Sequence, residues 1–294
     1  MLDVAIDILL DAVMDTLYLI PFLLVTYLVM EWIEHRAGDK TQHAIKKSGT
    51  AGPLIGSLIG VVPQCGFSAT ASTLYAGRVI TLGTLFAVYL STSDEMLPIF
   101  IAEQVPINTM LLILGSKVAI GMVFGFAIDA AMRSMHREPS SPQIHELCEH
   151  DHCHCEGEEG EGAGAIVKSA VIHTLQVTLF VFLVSLALNI VLEAVGEDAL
   201  AAFLSANGVL AVIGAGVFGL IPNCAASVTI AQLYVNGVLS PGAMMAGLLS
   251  AAGVGLLVLL RSNRPARQNV FIIIGLAGIG ILCGLIIDAI GIVF

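Results

Sequence analysis

Two short blocks of the sequence repeat one pattern of proline, amide, thiol and hydroxyl residues. The first reads Pro-Gln-Cys-Gly-Phe-Ser from residue 63, and the second reads Pro-Asn-Cys-Ala-Ala-Ser from residue 222. Amide and hydroxyl oxygens are hard ligands for metal ions, and a thiol adds affinity for softer ions. A single such residue is also common as a small packing residue, so the repetition of the block carries the prediction. The predicted substrate- or ion-binding residues are Gln64, Cys65, Ser68, Asn223, Cys224 and Ser227.

Two adjacent carboxylates, Asp94 and Glu95, lie within the apolar stretch from Leu82 to Ile101. A charged side chain at the centre of a bilayer is costly unless it is neutralised, paired or bound to a cation. We interpret both as cation ligands or proton carriers, with pairing to a basic or hydroxyl group as the structural alternative. His173 is a further proton-relay candidate because imidazole titrates near neutral pH, and a packing histidine is its alternative reading.

A polar segment between the two blocks is rich in histidine, cysteine and glutamate. This composition is typical of transition-metal binding, although it has no fixed zinc-fold spacing. The alternative is a disordered acidic tether that binds metal only incidentally. The candidate ligands are His145, Cys148, His150, His152, Cys153, His154 and Cys155.

The elements that position these residues are apolar. Hydrophobic residues make up 57% of the 294 residues and charged residues 12%, where a soluble domain has about a quarter charged. Several apolar stretches reach the roughly 20 residues that a membrane helix needs. The first apolar stretch is expected to stay in the protein as a membrane helix, because it lacks the preceding basic region that is typical of a cleaved signal peptide. The net charge of -11 argues against nucleic acid as a partner.

The first half of the sequence aligns with the second half without a gap at a shift of 159 residues (222 minus 63). The aligned positions include proline, cysteine, serine and aspartate, which chance similarity between apolar helices seldom matches. The matched pairs include Gly60 with Gly219, Gly83 with Gly242, Ser91 with Ser250, Pro106 with Pro265, Gly121 with Gly280, and Asp129 with Asp288. We therefore expect a first membrane repeat at 1–137, a linker at 138–164 and a second membrane repeat at 165–294.

Basic residues in short loops predict that the two repeats have opposite orientations. The loop at 36–47 has four basic residues and its counterpart at 193–207 has none, whereas 102–108 has none and 261–267 has three arginines. Basic loops stay cytoplasmic, so each repeat needs an odd number of segments. The expected fold is an all-α integral membrane protein of about ten segments, in two inverted five-segment repeats. Both termini would lie outside and the linker in the cytoplasm, in the plasma (inner) membrane.

Short helices are expected on either side of each proline block, at about 49–62 and 66–78 in the first repeat. Helices of this length fall short of a bilayer core near 30 Å. They would form re-entrant or broken segments whose tips meet within the membrane, with two long helices following in each repeat.

The paired proline blocks, the run Ser91-Thr92-Ser93-Asp94-Glu95 and the His/Cys-rich linker together resemble the ten-transmembrane heavy-metal exporter family. The resemblance covers nearly the whole chain. It implies a transporter that exports a metal or metalloid ion, with manganese or another divalent cation and arsenic as open alternatives.

We therefore expect a secondary exporter, because the sequence contains no Walker A loop with which this chain could use ATP to drive transport.

 

Transport would be proton-coupled and proceed by alternating access. A metal-ion channel is the main alternative, and a membrane enzyme is a weaker one because no nucleophile–base constellation stands out. No cofactor is expected apart from a transition-metal ion at the linker. The expected partners are the lipid bilayer and the transported ion, and the sequence predicts no oligomeric state.

Overall fold

The computed structural model describes residues 10, 12–14, 16–17, 20–21, 23–28, 51–63, 65–93, 96–135, 163–195 and 208–294. Regular structure in these ranges is helical, with no strand, and residues within 10–28 form an N-terminal helical segment. The other helices are α1 (Gly52–Gly60), α2 (Cys65–Ala76), α3 (Leu82–Ser91), α4 (Met96–Ala102), α5 (Ile107–Ser134), α6 (Ala163–Val195), α7 (Gly208–Phe218), α8 (Cys224–Val235), α9 (Pro241–Ser250), α10 (Gly255–Ser262) and α11 (Ala266–Ile290).

Five stretches of the described chain are long and apolar enough to cross a membrane. They are Leu82–Ala102, Ile107–Ser134, Ala170–Leu188, Pro241–Ser262 and Ala266–Ile290. Each has at least the roughly 18 residues that span the hydrocarbon core. The predicted class, an all-helical membrane protein that crosses the bilayer several times, is confirmed.

The short helices predicted beside the first proline block are present as α1 and α2. They contain 9 and 12 residues, which at about 1.5 Å per residue is too short to cross a bilayer. Proline lies in the first turn of α1, where its missing amide hydrogen costs no helical bond. The chain leaves the helix after Gly60 and passes through Pro63 before α2 begins. The second repeat has the equally short α7 and α8, with 11 and 12 residues.

The apolar stretch from Leu82 to Ile101, expected to form one of the two long helices of the first repeat, is interrupted. Helix α3 ends at Ser91 and α4 begins at Met96, an interval that we call the first break. Thr92 Oγ1 donates to the carbonyl of Val88 at 2.8 Å, and Ser93 Oγ donates to the carbonyl of Val61 at 2.7 Å. These side-chain bonds compete with the continuation of the helical ladder.

The second repeat is interrupted at the equivalent place, between α9 and α10. In this second break, residues 251–254, the amide of Ala252 bonds to the carbonyl of Ser250 at 3.0 Å. Gly253 has φ +52°, a left-handed conformation that glycine adopts without steric cost. The two stretches that look like simple membrane helices in the sequence are therefore both broken.

The broken spans lie inside the helix bundle. In Pro241–Ser262 94% of the apolar window is buried and in Leu82–Ala102 69%, compared with 22% in α5 and 39% in α11. Backbone groups that lack helical partners are tolerated at membrane depth only when protein or a wet cavity covers them. The unbroken helices α5 and α11 therefore form part of the outer shell around the two breaks.

The helix that precedes each break is held by the same kind of carboxylate brace. Asp129 of α5 accepts hydrogen bonds from the Gly83 amide at 2.8 Å and from Thr81 Oγ1 at 2.7 Å. The bonds fall at the N-terminus of α3, where a negative charge is favourable. Asp129, one of the aspartates matched by the sequence repeat, thus has a structural role at the start of α3.

The same brace recurs in the second repeat. Asp288 of α11 accepts from the Gly242 amide at 2.8 Å and from Ser240 Oγ at 2.7 Å. The helix bounds also agree, because adding 159 to those of α2 and α3 gives those of α8 and α9. The sequence repeat is therefore matched by the same contacts in the same places.

Candidate functional site

A small cavity lies between the two breaks. Its volume of about 10 Å³ leaves room for about one water molecule. The first break, α4 and α5 contribute part of its wall, and α8, α9 and the second break contribute the rest. The lining residues are Thr92, Ser93, Met96, Lys117, Cys224, Ser227, Leu248, Ala251 and Gly253. The cavity is thus shared by both repeats.

Among the lining residues named above, Lys117 is the one with a charged side chain. It lies on α5 and is completely buried. Its Nζ donates to the carbonyl of Thr92 in the first break and to the carbonyl of Leu248 at 3.0 Å. Each of these carbonyls lies at the C-terminal end of a helix that stops inside the bundle, where the helix dipole is negative. The ammonium group therefore links the ends of α3 and α9, one from each repeat.

Sequence reasoning missed Lys117 although its signal was present. It is the single basic residue in the apolar stretch from Met110 to Met132. Basic residues inside membrane segments are rare, face the protein interior and mark functional pathways. The rule that selected Asp94 and Glu95 also selects Lys117.

Two of the predicted ligands line the cavity together. Cys224 begins α8 and is buried, and Ser227 lies one turn later on the same helix. Ser227 Oγ donates to the carbonyl of Cys224 at 2.9 Å. A thiol and a hydroxyl from one helix thus share a wall with the ammonium group of Lys117.

Asn223, the remaining predicted ligand of the second block, caps the start of α8. Asn223 is the N-terminal cap of α8, and its Oδ1 accepts from the amide of Ala225 at 3.2 Å. Asparagine is among the preferred residues at this position because its side chain satisfies an unpaired helical amide. Asn223 is buried beside the cavity-lining Cys224 but is not itself among the lining residues.

Ser68 lies outside the cavity, at a close junction between α2 and α10. A Cβ atom placed on Gly255 would lie 2.8 Å from Ser68 Cβ, so the two helices meet there with almost no space. One turn later, Ser72 Oγ contacts Tyr89 Oη at 2.6 Å and donates to the carbonyl of Gly255 at 2.7 Å. This buried network fixes a short helix of the first repeat on the broken span of the second.

Several predicted residues lie outside the described part of the chain. They are Gln64, Asp94, Glu95, the side chain of Cys65 and all the linker ligands from His145 to Cys155. Their proposed roles remain predictions. Among the described residues no group of three or more His, Cys, Asp or Glu side chains is placed to hold a metal ion.

His173 is buried in a second, smaller core. Its ring stacks on Tyr27 of the N-terminal helical segment, with ring centroids 5.1 Å apart and an angle of 14° between planes. The surrounding apolar residues come from α2, α6, the second break, α10 and the N-terminal helical segment. His173 is not among the residues that line the cavity, so its proton-relay role also remains a prediction.

The fold and the cavity define a multi-pass membrane protein with interrupted helices around a polar site, the form that membrane transporters take. A family model described as "Putative, 10TM heavy-metal exporter" matches residues 3–174. This match covers more than half of the 294 residues, and the chain belongs to that family. The resemblance found in the sequence is confirmed over residues 3–174, and the family is described as one of exporters, which is not an enzyme family. Comparisons with curated proteins and with solved structures give no match.

Proposed function

We propose that the protein is a secondary exporter that carries a heavy-metal or metalloid ion across the plasma (inner) membrane by alternating access. The main support is the cavity between the two breaks, because its wall comes from both repeats. A site at the interface of two repeats opens to alternate sides when one repeat rocks against the other. Membership of an exporter family agrees with this proposal.

The proposed topology has ten segments in two inverted repeats. The opposite loop charges of the repeats support the inversion, since basic loops remain cytoplasmic. The matching carboxylate braces of Asp129 and Asp288 support a common frame for the two repeats. In this topology both termini lie outside, and the linker lies in the cytoplasm where its histidines and cysteines collect or sense metal.

The chemistry of the site supports two kinds of substrate. The thiol of Cys224 and the hydroxyl of Ser227 suit trivalent arsenic or a soft metal ion. Asp94 and Glu95 follow the lining residue Ser93 in sequence, and their carboxylates suit manganese or another divalent cation. The positive charge of Lys117 opposes a bare cation unless such carboxylates balance it.

Metal accumulation in cells tests the function and separates these substrates. Cells expressing the wild type or the Cys65→Ser/Cys224→Ser double variant are challenged separately with manganese, zinc and arsenite. We expect the wild type to lower accumulation of at least one ion, and a thiol-bound substrate to lose export in the double variant. Cys283→Ser is the matched control, because Cys283 is buried in α11 outside the cavity lining. A wild type that lowers the accumulation of none of the three ions contradicts the exporter proposal.

Proton coupling has its own test in proteoliposomes. We expect a pH gradient to drive net transport by the wild type, and Asp94→Asn or Glu95→Gln to abolish it while expression is retained. The reason is that these carboxylates are the proposed proton carriers. Net flux that ignores the pH gradient favours the channel alternative, and wild-type transport in both variants contradicts the role of the carboxylates.

A further inference from the structure

Two backbone carbonyl groups from different repeats point to the same place in the cavity wall. The carbonyl oxygens of Thr92 and Leu248 both accept a hydrogen bond from Lys117 Nζ. The carbonyl of Leu248 is available because the amide of Ala252, its partner in a continuous helix, bonds to Ser250 instead. The second break thus creates an acceptor that an unbroken helix would lack.

The surroundings of these carbonyls favour a positive charge. Thr92 follows the last residue of α3, and Leu248 lies in the last turn of α9, so both oxygens lie at the negative ends of helix dipoles. Carbonyls of unwound segments and the C-terminal ends of half-helices are the groups with which transporters coordinate small cations. Ser93 and Ser227 add hydroxyl oxygens to the same cavity lining.

We propose that this place is a binding site for a monovalent cation, and that the protein fills it with the ammonium group of its own Lys117. The side chain acts as a tethered cation that holds the ends of α3 and α9 together. The wild type therefore needs no dissociable alkali ion at this point. When the side chain is removed, the site becomes open to a free alkali or primary ammonium ion.

The second repeat provides an internal comparison. Leu276 on α11 is the residue that corresponds to Lys117 under the 159-residue shift, and it is also completely buried. Because leucine carries no charge, Leu276 fills buried space in the second repeat without placing a cation there. Shortening the side chain at both positions separates loss of volume from loss of charge.

Thermal unfolding of the purified protein tests the site without measuring transport. Lys117→Ala, Leu276→Ala and the wild type are compared in sodium, potassium, ethylammonium and choline chloride at equal ionic strength. We expect the Tm of Lys117→Ala to rise saturably, by several degrees, with ethylammonium or an alkali ion relative to choline, which is too bulky to enter. We expect no such difference in the wild type or in Leu276→Ala.

A second variant keeps the test decisive if Lys117→Ala does not fold. Lys117→Met keeps nearly the length of the side chain but lacks the terminal ammonium group, so the two carbonyls lose their donor and we expect sodium or potassium to raise its Tm above that in choline. The proposal is overturned if the folded variants unfold at one temperature in all four salts, or if Leu276→Ala responds equally. The inference rests on the geometry of the cavity alone, so a failure of the export assay leaves this test unaffected.

Discussion

In the first repeat the amide of Gly83 donates to Asp129, and in the second the amide of Gly242 donates to Asp288, each at 2.8 Å. Gly83 and Gly242 lie in the first turns of α3 and α9, and each of these helices ends at a break inside the bundle. Near the cavity the repeats differ, because Lys117 of the first repeat corresponds to Leu276 of the second. The two repeats therefore share their scaffold contacts, whereas at the position of Lys117 the first repeat has a charged side chain and the second has an apolar one.

The two breaks also differ in charge, because acidic residues occur in the first break and uncharged residues occupy the equivalent positions of the second. Asp94 corresponds to Gly253, and Glu95 corresponds to Val254. The second break uses glycine with positive φ to interrupt the helix, and it presents small apolar residues. If the repeats share a frame, substitutions at equivalent scaffold positions should destabilise the protein in both repeats, whereas substitutions of Lys117 and of its counterpart Leu276 should differ in their effect on transport.

The largest effect is expected where the scaffold helices are in closest contact. An ideal Cβ on Gly83 would lie 2.1 Å from the carbonyl oxygen of Gly125, and one on Gly242 would lie 2.2 Å from that of Gly284. The obstacle is backbone, so the helices must separate to admit a side chain. We expect Gly83→Val and Gly242→Val each to cost more than about 4 kcal/mol and to yield little monodisperse protein in size-exclusion chromatography.

Two other membrane glycines are matched controls for these substitutions. Gly115 on α5 and Gly278 on α11 have no described atom within 4 Å of an ideal Cβ. We expect Gly115→Val and Gly278→Val to change stability by less than about 1 kcal/mol. A stable Gly83→Val protein alongside an unfolded Gly242→Val protein would break the equivalence of the two repeats.

The carboxylate braces should give the next largest effect. Asparagine retains one acceptor oxygen and loses the other, so Asp129→Asn leaves one of its two donors, the Gly83 amide or the Thr81 hydroxyl, poorly satisfied. We expect a loss of about 2 kcal/mol in the free energy of unfolding. Asp288 is only partly buried, so Asp288→Asn should cost less. Denaturant unfolding measures both, and a lost substrate affinity with unchanged stability would instead assign the carboxylates to the transport site.

A smaller effect is expected from the thiol in the cavity. If the transported ion binds through sulfur, Cys224→Ser should weaken its apparent affinity about tenfold, equivalent to about 1.4 kcal/mol. Concentration-dependent uptake into everted membrane vesicles gives this affinity. Cys283→Ser should leave it unchanged, and equal losses in both variants would show that the thiol effect does not come from the cavity.

The smallest effect concerns the turn after the second short helix of each repeat. Gly237 has φ +73° and its counterpart Arg78 has φ +57°. Arg78 lies 5.3 Å above the ring of Tyr75 and donates to Gln268 at 3.1 Å. No atom lies within 4 Å of an ideal Cβ at Gly237, so Gly237→Ala adds only conformational strain. We expect the free energy of unfolding, measured by thermal unfolding, to fall by about 1 kcal/mol. A stabilised Gly237→Ala would contradict the shared left-handed turn.

Local sequence was sufficient to predict the helical membrane class and the short helices beside Pro63. These features follow from apolar length and from the effect of proline on its own helix. The first break was not predicted in this way, because the stretch from Leu82 to Ile101 has the length of one membrane helix. Contacts from distant residues accompany the break: Val61 accepts from Ser93, and Lys117 donates to Thr92.

The candidate site was predictable only in part for the same reason. Cys224 and Ser227 were identified from the repeated block, and both line the cavity. Ser68 belongs to the matching block but packs against Gly255, whereas the residue equivalent to Gly255 in the first repeat is Met96, which lines the cavity together with Ser227. A repeated motif identifies equivalent positions along the chain, whereas tertiary packing determines which of them reach the cavity.

In the proposed mechanism, ion transport depends on Lys117, the charged residue that the first repeat contributes to the described lining of the shared cavity. The most direct measurement is uptake of the exported ion into everted membrane vesicles that contain equal amounts of folded wild type, Lys117→Ala or Leu276→Ala. We predict that Lys117→Ala loses at least about 90% of the uptake rate, equivalent to about 1.4 kcal/mol, while Leu276→Ala keeps most of it. Equal uptake by the two variants, or a greater loss in Leu276→Ala, would contradict the claim.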